Sequence, residues 1–288
     1  MSALRIASVQ IHKVNSGTFG PVEPDLLAVE EPLEIRLGYG PLWERQWTSL
    51  SVTMRTPGHD FELVAGFLCS EGMLAQPNAL LSVKYCQDTP PEGFGNVVRV
   101  ELHPEVLFDL EKLHRHFFTS SSCGVCGKAS IASLEAAACP ILPPKNIEIK
   151  ASTLLQLPIL LRKAQTAFDH TGGLHATALF TSEGKLLAVR EDVGRHNAMD
   201  KIIGWALQRN LLPLHPYLAL VSGRLSFELV QKALRAGISV LVAVGAPSSL
   251  AVQLARDFGL TLIGFLREER FNIYTHPERI VGNALEPF

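Results

Sequence analysis

No long apolar run interrupts this chain. Its most apolar stretch, Val240 to Val244, falls far short of the ~20 residues that cross a bilayer. The N-terminal MSALRIASVQIHK has no extended apolar core, so it does not read as a secretory signal. An excess of one charge is missing too. Lys and Arg total 26 against 28 Asp and Glu, for a formal net charge of -2, which gives no electrostatic reason to expect nucleic acid or a membrane surface as partner. Cysteine is scarce and odd in number: five in 288 residues do not make a disulfide framework. These absences predict a cytoplasmic protein, in which a close cysteine pair is catalytic, redox-active or metal-binding. The common glycine-rich phosphate loops are absent as well. Gly127-Lys128 is followed by Ala129, and no G-x-G-x-x-G follows a strand.

What is present is a globular composition, 47% hydrophobic and 19% charged, without repeats or low-complexity tracts. The first part predicts strands at Leu33–Leu37, Ser49–Arg55 and Val97–Leu102. A helix is predicted over Phe61–Cys69, with Asp60 as N-cap and an end near Gly72. Pro90–Gly95 reads as a surface loop. Lys128–Cys139 has helix formers, and Pro140, Pro143 and Pro144 stop it and make a linker. The second half predicts a helix over Pro158–Phe168 with proline at its start, a hairpin of Ala176–Thr181 with Leu186–Arg190, and a helix over Asn197–Gln208. A regular alternation follows: strand Tyr217–Val221, helix Phe227–Ala236, strand Ser239–Val244, helix Leu250–Phe258, strand Thr261–Phe265. Continuous apolar strands separated by helices imply parallel units, whose ligands sit at the carboxyl ends of the strands. The boundaries expected are a strand-rich subdomain over 1–110, a C-x-x-C loop with helix and Pro-rich linker over 111–145, and an α/β cofactor-binding domain over 146–288.

Cys123 and Cys126 lie in a loop of Ser and Gly directly before the helix that starts at Lys128. A helix N-terminus and a nearby lysine favour thiolate over thiol. A thiolate can attack a sulfur and carry it as a persulfide, which the second cysteine can resolve or relay. The spacing alone leaves other chemistry open. His114 and His116 would complete a zinc set, although a His-x-His pair at a helix end is more often solvated surface. His103-Pro104-Glu105 resembles part of a zinc deaminase signature, but Ser122 stands where that signature wants proline. A thioredoxin-like pair should follow the first strand of a βαβ unit, and this one lies mid-chain. Cys69, Cys86 and Cys139 are isolated and receive no role; Cys69 falls on an apolar helix face.

Several polar segments stand between apolar elements: Gly172–His175, Glu191–Asn197 leading to Asp200-Lys201, Ser222–Ser226, Ala246–Ser249 and Arg267–Arg270. Singly, Asp192, Asn197, Ser226 and Ser248 are explained by helix capping. Together, arginines and helix N-termini on one edge of one sheet suit a large anion.

The chain resembles the FdhD/NarQ family of formate dehydrogenase accessory sulfur carriers at RTPGHDFELVAGFLCSEG (Arg55–Gly72), SSCGVCGK (Ser121–Lys128), TGGLHATALF (Thr171–Phe180) and EDVGRHNAMDK (Glu191–Lys201). It also does so at SGRLSFELVQKA (Ser222–Ala233), GAPSSLAVQLA (Gly245–Ala255) and GFLREERFNIYTHPERI (Gly264–Ile280). The matches run in order from about residue 30 to residue 280. The resemblance implies an α/β fold with a cytidine-deaminase-like three-layer core and mixed sheet, plus a smaller strand-rich N-terminal subdomain. It implies a cytoplasmic homodimer with sulfurtransferase activity. Such a protein accepts persulfide sulfur from a cysteine desulfurase and passes it to the bis-molybdopterin guanine dinucleotide molybdenum (or tungsten) cofactor. The recipient enzyme is formate dehydrogenase, GDP can stand in for the cofactor's nucleotide ends, and no structural metal is expected. Cys123 would carry the persulfide with Cys126 as partner. Phe265, Leu266, Arg267, Glu268, Glu269 and Arg270 match the family's cofactor-binding segment, with Glu268 and Glu269 where small residues are expected. The residues themselves add His175, Asp192, Arg195, His196 and Arg224 as cofactor-binding candidates. The competing readings are a cofactor-insertion chaperone without sulfur chemistry and a zinc-dependent deaminase-like hydrolase.

Overall fold

The computed structural model describes residues 5–74, 79–88, 95–106, 139–144 and 147–282. Cys123, Cys126, His114 and His116 lie outside these residues. So do the helix expected from Lys128, apart from Cys139, and the Pro90 end of the predicted loop. Among the described residues, no helix is long and apolar enough to cross a membrane.

The chain opens with a hairpin of β1 (Ile6–Asn15) and β2 (Thr18–Ala28). No strand is named here in the sequence analysis, and β2 carries Pro21 and Pro24, residues unusual in strands. In a two-stranded ribbon each strand keeps an open edge, where a missing N–H costs no ladder bond. Ser16 and Gly17 both take positive φ at the turn, as a tight hairpin requires.

A four-stranded sheet follows, formed by β3 (Glu31–Tyr39), β4 (Gln46–Arg55), β5 (Leu80–Tyr85) and β6 (Val97–Leu102) in the order β4-β3-β6-β5. Alternate residues Leu33, Ile35 and Leu37 of β3 and Val98, Val100 and Leu102 of β6 are buried on one face, as period-two patterning demands. Helix α1 (Asp60–Ser70) covers them with Leu63, Val64 and Leu68. Its N-cap is His59, in the left-handed region, rather than Asp60. Asp60 sits inside the first turn because the almost fully buried Arg55 needs a counter-charge: the two pair at 3.0 Å. Gly72, at φ 77, ends the helix region as expected.

After a short β7 (Ile149–Lys150), the second half builds a six-stranded mixed sheet from β8 (His175–Thr181), β9 (Leu186–Asp192), β10 (Tyr217–Val221), β11 (Val240–Ala243), β12 (Thr261–Gly264) and β13 (Asn272–Thr275). The order is β13-β12-β11-β10-β8-β9, with β10, β11 and β12 mutually parallel. It is buried on both faces. Leu179, Ala219, Val221, Leu241, Ala243 and Leu262 pack on one side with α4 (Arg195–Leu207), α5 (Phe227–Arg235) and α6 (Ser249–Asp257). Ala178, Phe180, Leu218, Leu220, Val240, Val242 and Ile263 face Leu154, Leu157 and Leu161 of α2 (Ala151–Ala164) on the other. Three layers result. Each fully buried Leu or Ile contributes about 1.5–3 kcal/mol of transfer free energy, which explains why these strands read as unbroken apolar runs.

Two expectations shift. Pro158 lies inside α2 instead of starting it; the buried stripe Leu154, Leu157 and Leu161, at i, i+3 and i+7, outweighs a proline cost of about 3 kcal/mol. The helix expected to run to Phe168 breaks at Gln165, and a short α3 (Thr166–Thr171) follows. The prolines after Cys139 are not a free linker, since Leu142 is buried in the core and its N–H donates to Phe258 O at 3.0 Å.

The two sheets meet through α1 and α4. Glu62, Gly66 and Ser70 form an i, i+4, i+8 stripe on α1 facing Asp200 and Gly204 of α4. A Cβ on Gly66 would overlap the Asp200 carbonyl, and one on Gly204 the Glu62 carbonyl.

Candidate functional site

The carboxyl ends of β10, β11 and β12 lead into Ser222-Gly223, Val244-Gly245 and Phe265-Leu266, at one end of the sheet. Backbone bonds knit them: Gly245 N–H donates to Gly223 O and Phe265 N–H to Gly245 O, each at 3.0 Å. Gly245 must be glycine, since a Cβ would stand 2.7 Å from Gly223 O. Phe265 is held at φ 55 and is exposed. A bulky residue in that region is strained, and such strain concentrates at functional sites. Helices α5 and α6 start just after two of these strand ends, and α4 after the edge strand β9, which runs in the same direction, so their partial positive charge lies at the same edge. Ser248 caps α6 by accepting from Ala251 N–H. Ser226 instead places its Oγ 3.2 Å from His196 Nε2.

A cavity of about 840 Å³ opens here. Its floor is His175, Ser222 and Val244. Its far wall comes from α2 and α3, with Ile159, Leu161, Arg162, Gln165 and Phe168, and from Gly172–Leu174. A second cavity of about 440 Å³ adjoins it, lined by Leu266, Arg267, Glu268, Glu269 and Arg270. The two share Pro158, Val244 and Glu268, so they form one cleft of two lobes. The α2 and α3 wall has no signature in the sequence: nothing about Ile159 or Phe168 distinguishes it from ordinary core.

Arg162, Lys163, Arg267 and Arg270 line the cleft, and Arg195 stands beside it. Arg195 packs beside His175 and Gly223: a Gly223 Cβ would meet His175 Nδ1 at 3.3 Å and Arg195 Cδ at 3.9 Å. Arg195 Nε is buried without a hydrogen-bond partner among the described residues. Buried donors of this kind are normally satisfied, so an acceptor from outside the protein fits. Burial, and then the Arg195 charge, lowers the His175 pKa. Arg224 and Arg270 are exposed. Arg267 differs: its Nη1 donates to Val244 O at 2.7 Å and Leu266 O at 2.8 Å, and its N–H to Arg270 O at 2.8 Å. It folds the Arg267–Arg270 turn against β11.

Other predicted residues lie behind this surface. Asp192 is fully buried; it pairs with Lys201 Nζ at 2.7 Å and accepts from Gly194 N–H, Thr56 N–H and Asn197 Nδ2. Its place is in holding the β9–α4 loop that carries Arg195. Leu266 is fully buried in the core, so only its backbone faces the turn. Burial, with Arg195 and Lys232 nearby, pushes the His196 pKa down to about 4. Sequence reading missed a buried polar seam under α4. Lys232 pairs with Asp200 at 3.0 Å and Glu71 at 2.9 Å, and Ser70 donates to Asp200 at 2.7 Å. Its one signal is charged residues inside otherwise apolar helix faces. Among the described residues, no group of three His, Cys, Asp or Glu could hold a metal ion.

The model of the FdhD/NarQ family matches residues 28–281. The chain is 52% identical over 264 residues to the sulfur carrier protein FdhD of Streptomyces coelicolor, covering 91% of each chain. It is 50% identical to that of Mycobacterium tuberculosis, covering 89% of this chain and 92% of that one. It is 41% identical to that of Sulfurisphaera tokodaii, covering 96% of this chain and all of the relative, 100%. A crystal structure described as a formate dehydrogenase accessory protein from Desulfotalea psychrophila superposes with a TM-score of 0.73 at 22% identity, covering 96% of this chain and 100% of that one; this likeness shows the shared fold. The family match and these identities together make the chain a member of the FdhD/NarQ family.

Proposed function

We propose that this protein is a sulfur carrier that serves a formate dehydrogenase as its accessory protein. It accepts persulfide sulfur from a cysteine desulfurase on Cys123, with Cys126 as relay. It hands that sulfur to the bis-molybdopterin guanine dinucleotide molybdenum or tungsten cofactor before the cofactor enters the dehydrogenase. The cofactor is cargo rather than a resident group. The protein works as a homodimer in the cytoplasm, on a deaminase-like core that brings no deamination with it.

The observation that carries this reading is the two-lobed cleft with Arg195 beside its His175 and the Arg195 Nε buried without a partner among the described residues. Phosphates of a guanine dinucleotide would take Arg195, Arg224 and Arg270, aided by the partial charges of the helix N-termini. His175, kept neutral, would offer a ring N–H without adding charge. The apolar wall of Ile159, Leu161 and Phe168 would exclude water from the ring systems. Asp192 and Arg267 would hold the loops that present these groups.

The test replaces Cys123 and Cys126 together by alanine in cells that depend on this protein for formate oxidation. The reading expects a dehydrogenase that contains its cofactor and is inactive. An active enzyme would favour a chaperone that only inserts the cofactor.

A further inference from the structure

Glu191 is a buried carboxylate, 3% exposed, near the end of β9. It does not line the cleft, yet it reaches across to the element that does. Its Oε2 accepts from Ala167 N–H at 3.1 Å and its Oε1 from Phe168 N–H at 2.8 Å. These amides belong to the first turn of α3, where a helix has no acceptors of its own. The helix α3 spans six residues, and the side chain of its N-cap Gln165 makes no capping bond. A helix this short does not persist on its own hydrogen bonds, so the carboxylate is its anchor. Glu191 is fixed in turn: Arg5 Nη2 lies 3.7 Å from Oε2, and Lys201 Nζ donates to the Glu191 carbonyl at 3.3 Å.

What α3 carries faces the larger lobe. The Phe168 ring lines it, as does Arg162. The Arg162 guanidinium lies 4.5 Å from the centroid of that ring and pairs with Asp169 at 2.8 Å. Two neighbouring residues of α3 thus set where this cation stands. We infer that Glu191 is a positioning residue of the cleft: by holding the first turn of α3, it places the Phe168 ring and, through Phe168 and Asp169, the Arg162 guanidinium. The inference rests on the nucleotide-cofactor reading above for what the lobe receives, and on the geometry alone for the anchor.

Hydrogen exchange read by mass spectrometry and calorimetric titration with GDP test it on the full-length protein. The variants are Glu191→Gln, Glu191→Ala, Phe168→Ala and the double Phe168→Ala/Glu191→Gln. Glu191→Gln keeps the shape and one acceptor oxygen, so it decides the matter if Glu191→Ala does not fold. Amides over Thr166–Thr171 should exchange about tenfold faster in Glu191→Gln, and faster still in Glu191→Ala, while those of β10, β11 and β12 keep their rates. GDP affinity should fall about tenfold in Glu191→Gln, with a weaker dependence on salt. In the Phe168→Ala background the same substitution should change affinity by less than about twofold, because the anchor acts through the ring. Unchanged exchange over Thr166–Thr171, or equal acceleration throughout the chain, would overturn the anchor. Local acceleration with unchanged GDP affinity, or equal losses in both backgrounds, would overturn the positioning role while the nucleotide reading stands. No binding of GDP to the natural protein would overturn the nucleotide reading and the role in binding together.

Discussion

Lys201 and Asp192 form a fully buried ion pair at 2.7 Å, with Lys201 Nζ also donating to Thr56 O at 2.9 Å. The pair ties the loop bearing Arg195 to the segment that follows β4, and so joins the two halves of the chain behind the cleft.

Removing one partner leaves the other charged and dry. Asp192→Ala or Lys201→Ala should each cost about 3–5 kcal/mol of stability. The double variant should cost less than the sum of the singles, because the two groups share one interaction. Urea unfolding of the four proteins measures this. Losses under 1 kcal/mol, or strict additivity, would contradict a structural role for Asp192.

The α1–α4 crossing depends on backbone contact at Gly66 and Gly204. Gly204→Ala should destabilise the protein by about 1–3 kcal/mol or more, since the methyl meets a carbonyl that cannot yield without moving a helix. Thermal unfolding would register a lower midpoint. An unchanged midpoint would mean that the helices cross elsewhere.

Much of this was legible in advance, for identifiable reasons. The runs around Leu220, Val242 and Ile263 are apolar throughout because both faces of the sheet are covered, and the strand Val97–Leu102 was read to the residue. The edge that carries the cleft followed from parallel topology. Its far wall did not: Ile159 and Phe168 reach it through tertiary packing that no local pattern encodes. Pro158 misled because the tertiary context of α2 overrides its helix-breaking cost. Asp192 belongs to the polar segment Glu191–Asn197, whose sequence is the same whether the carboxylate faces a cleft or a buried lysine.

His196 makes stability depend on pH. Its folded pKa of about 4 lies below the unfolded value of 6.5, so the folded state favours the neutral ring. That contribution is complete above the unfolded value and is lost as the pH falls through the folded one. Arg195 and Lys232 oppose its protonation, while Glu228 and Glu71 favour it. Asp200, raised to about 6 by burial, acts the opposite way below that pH. A His196→Asn variant should therefore lose less stability than the natural protein on acidification. Parallel stability–pH curves would refute the assignment.

Arg195→Ala should weaken GDP binding by about tenfold or more, the loss of a charge-assisted hydrogen bond, and flatten its dependence on salt. Unchanged affinity and salt slope in titration calorimetry would remove Arg195 from the site.

Sulfur on Cys123 is the central claim. After incubation with a cysteine desulfurase and cysteine, intact-mass spectrometry should show the natural protein heavier by about 32 Da per sulfur carried. That increment should be absent from Cys123→Ala and reversed by a thiol reductant. Undiminished loading of Cys123→Ala would contradict the account.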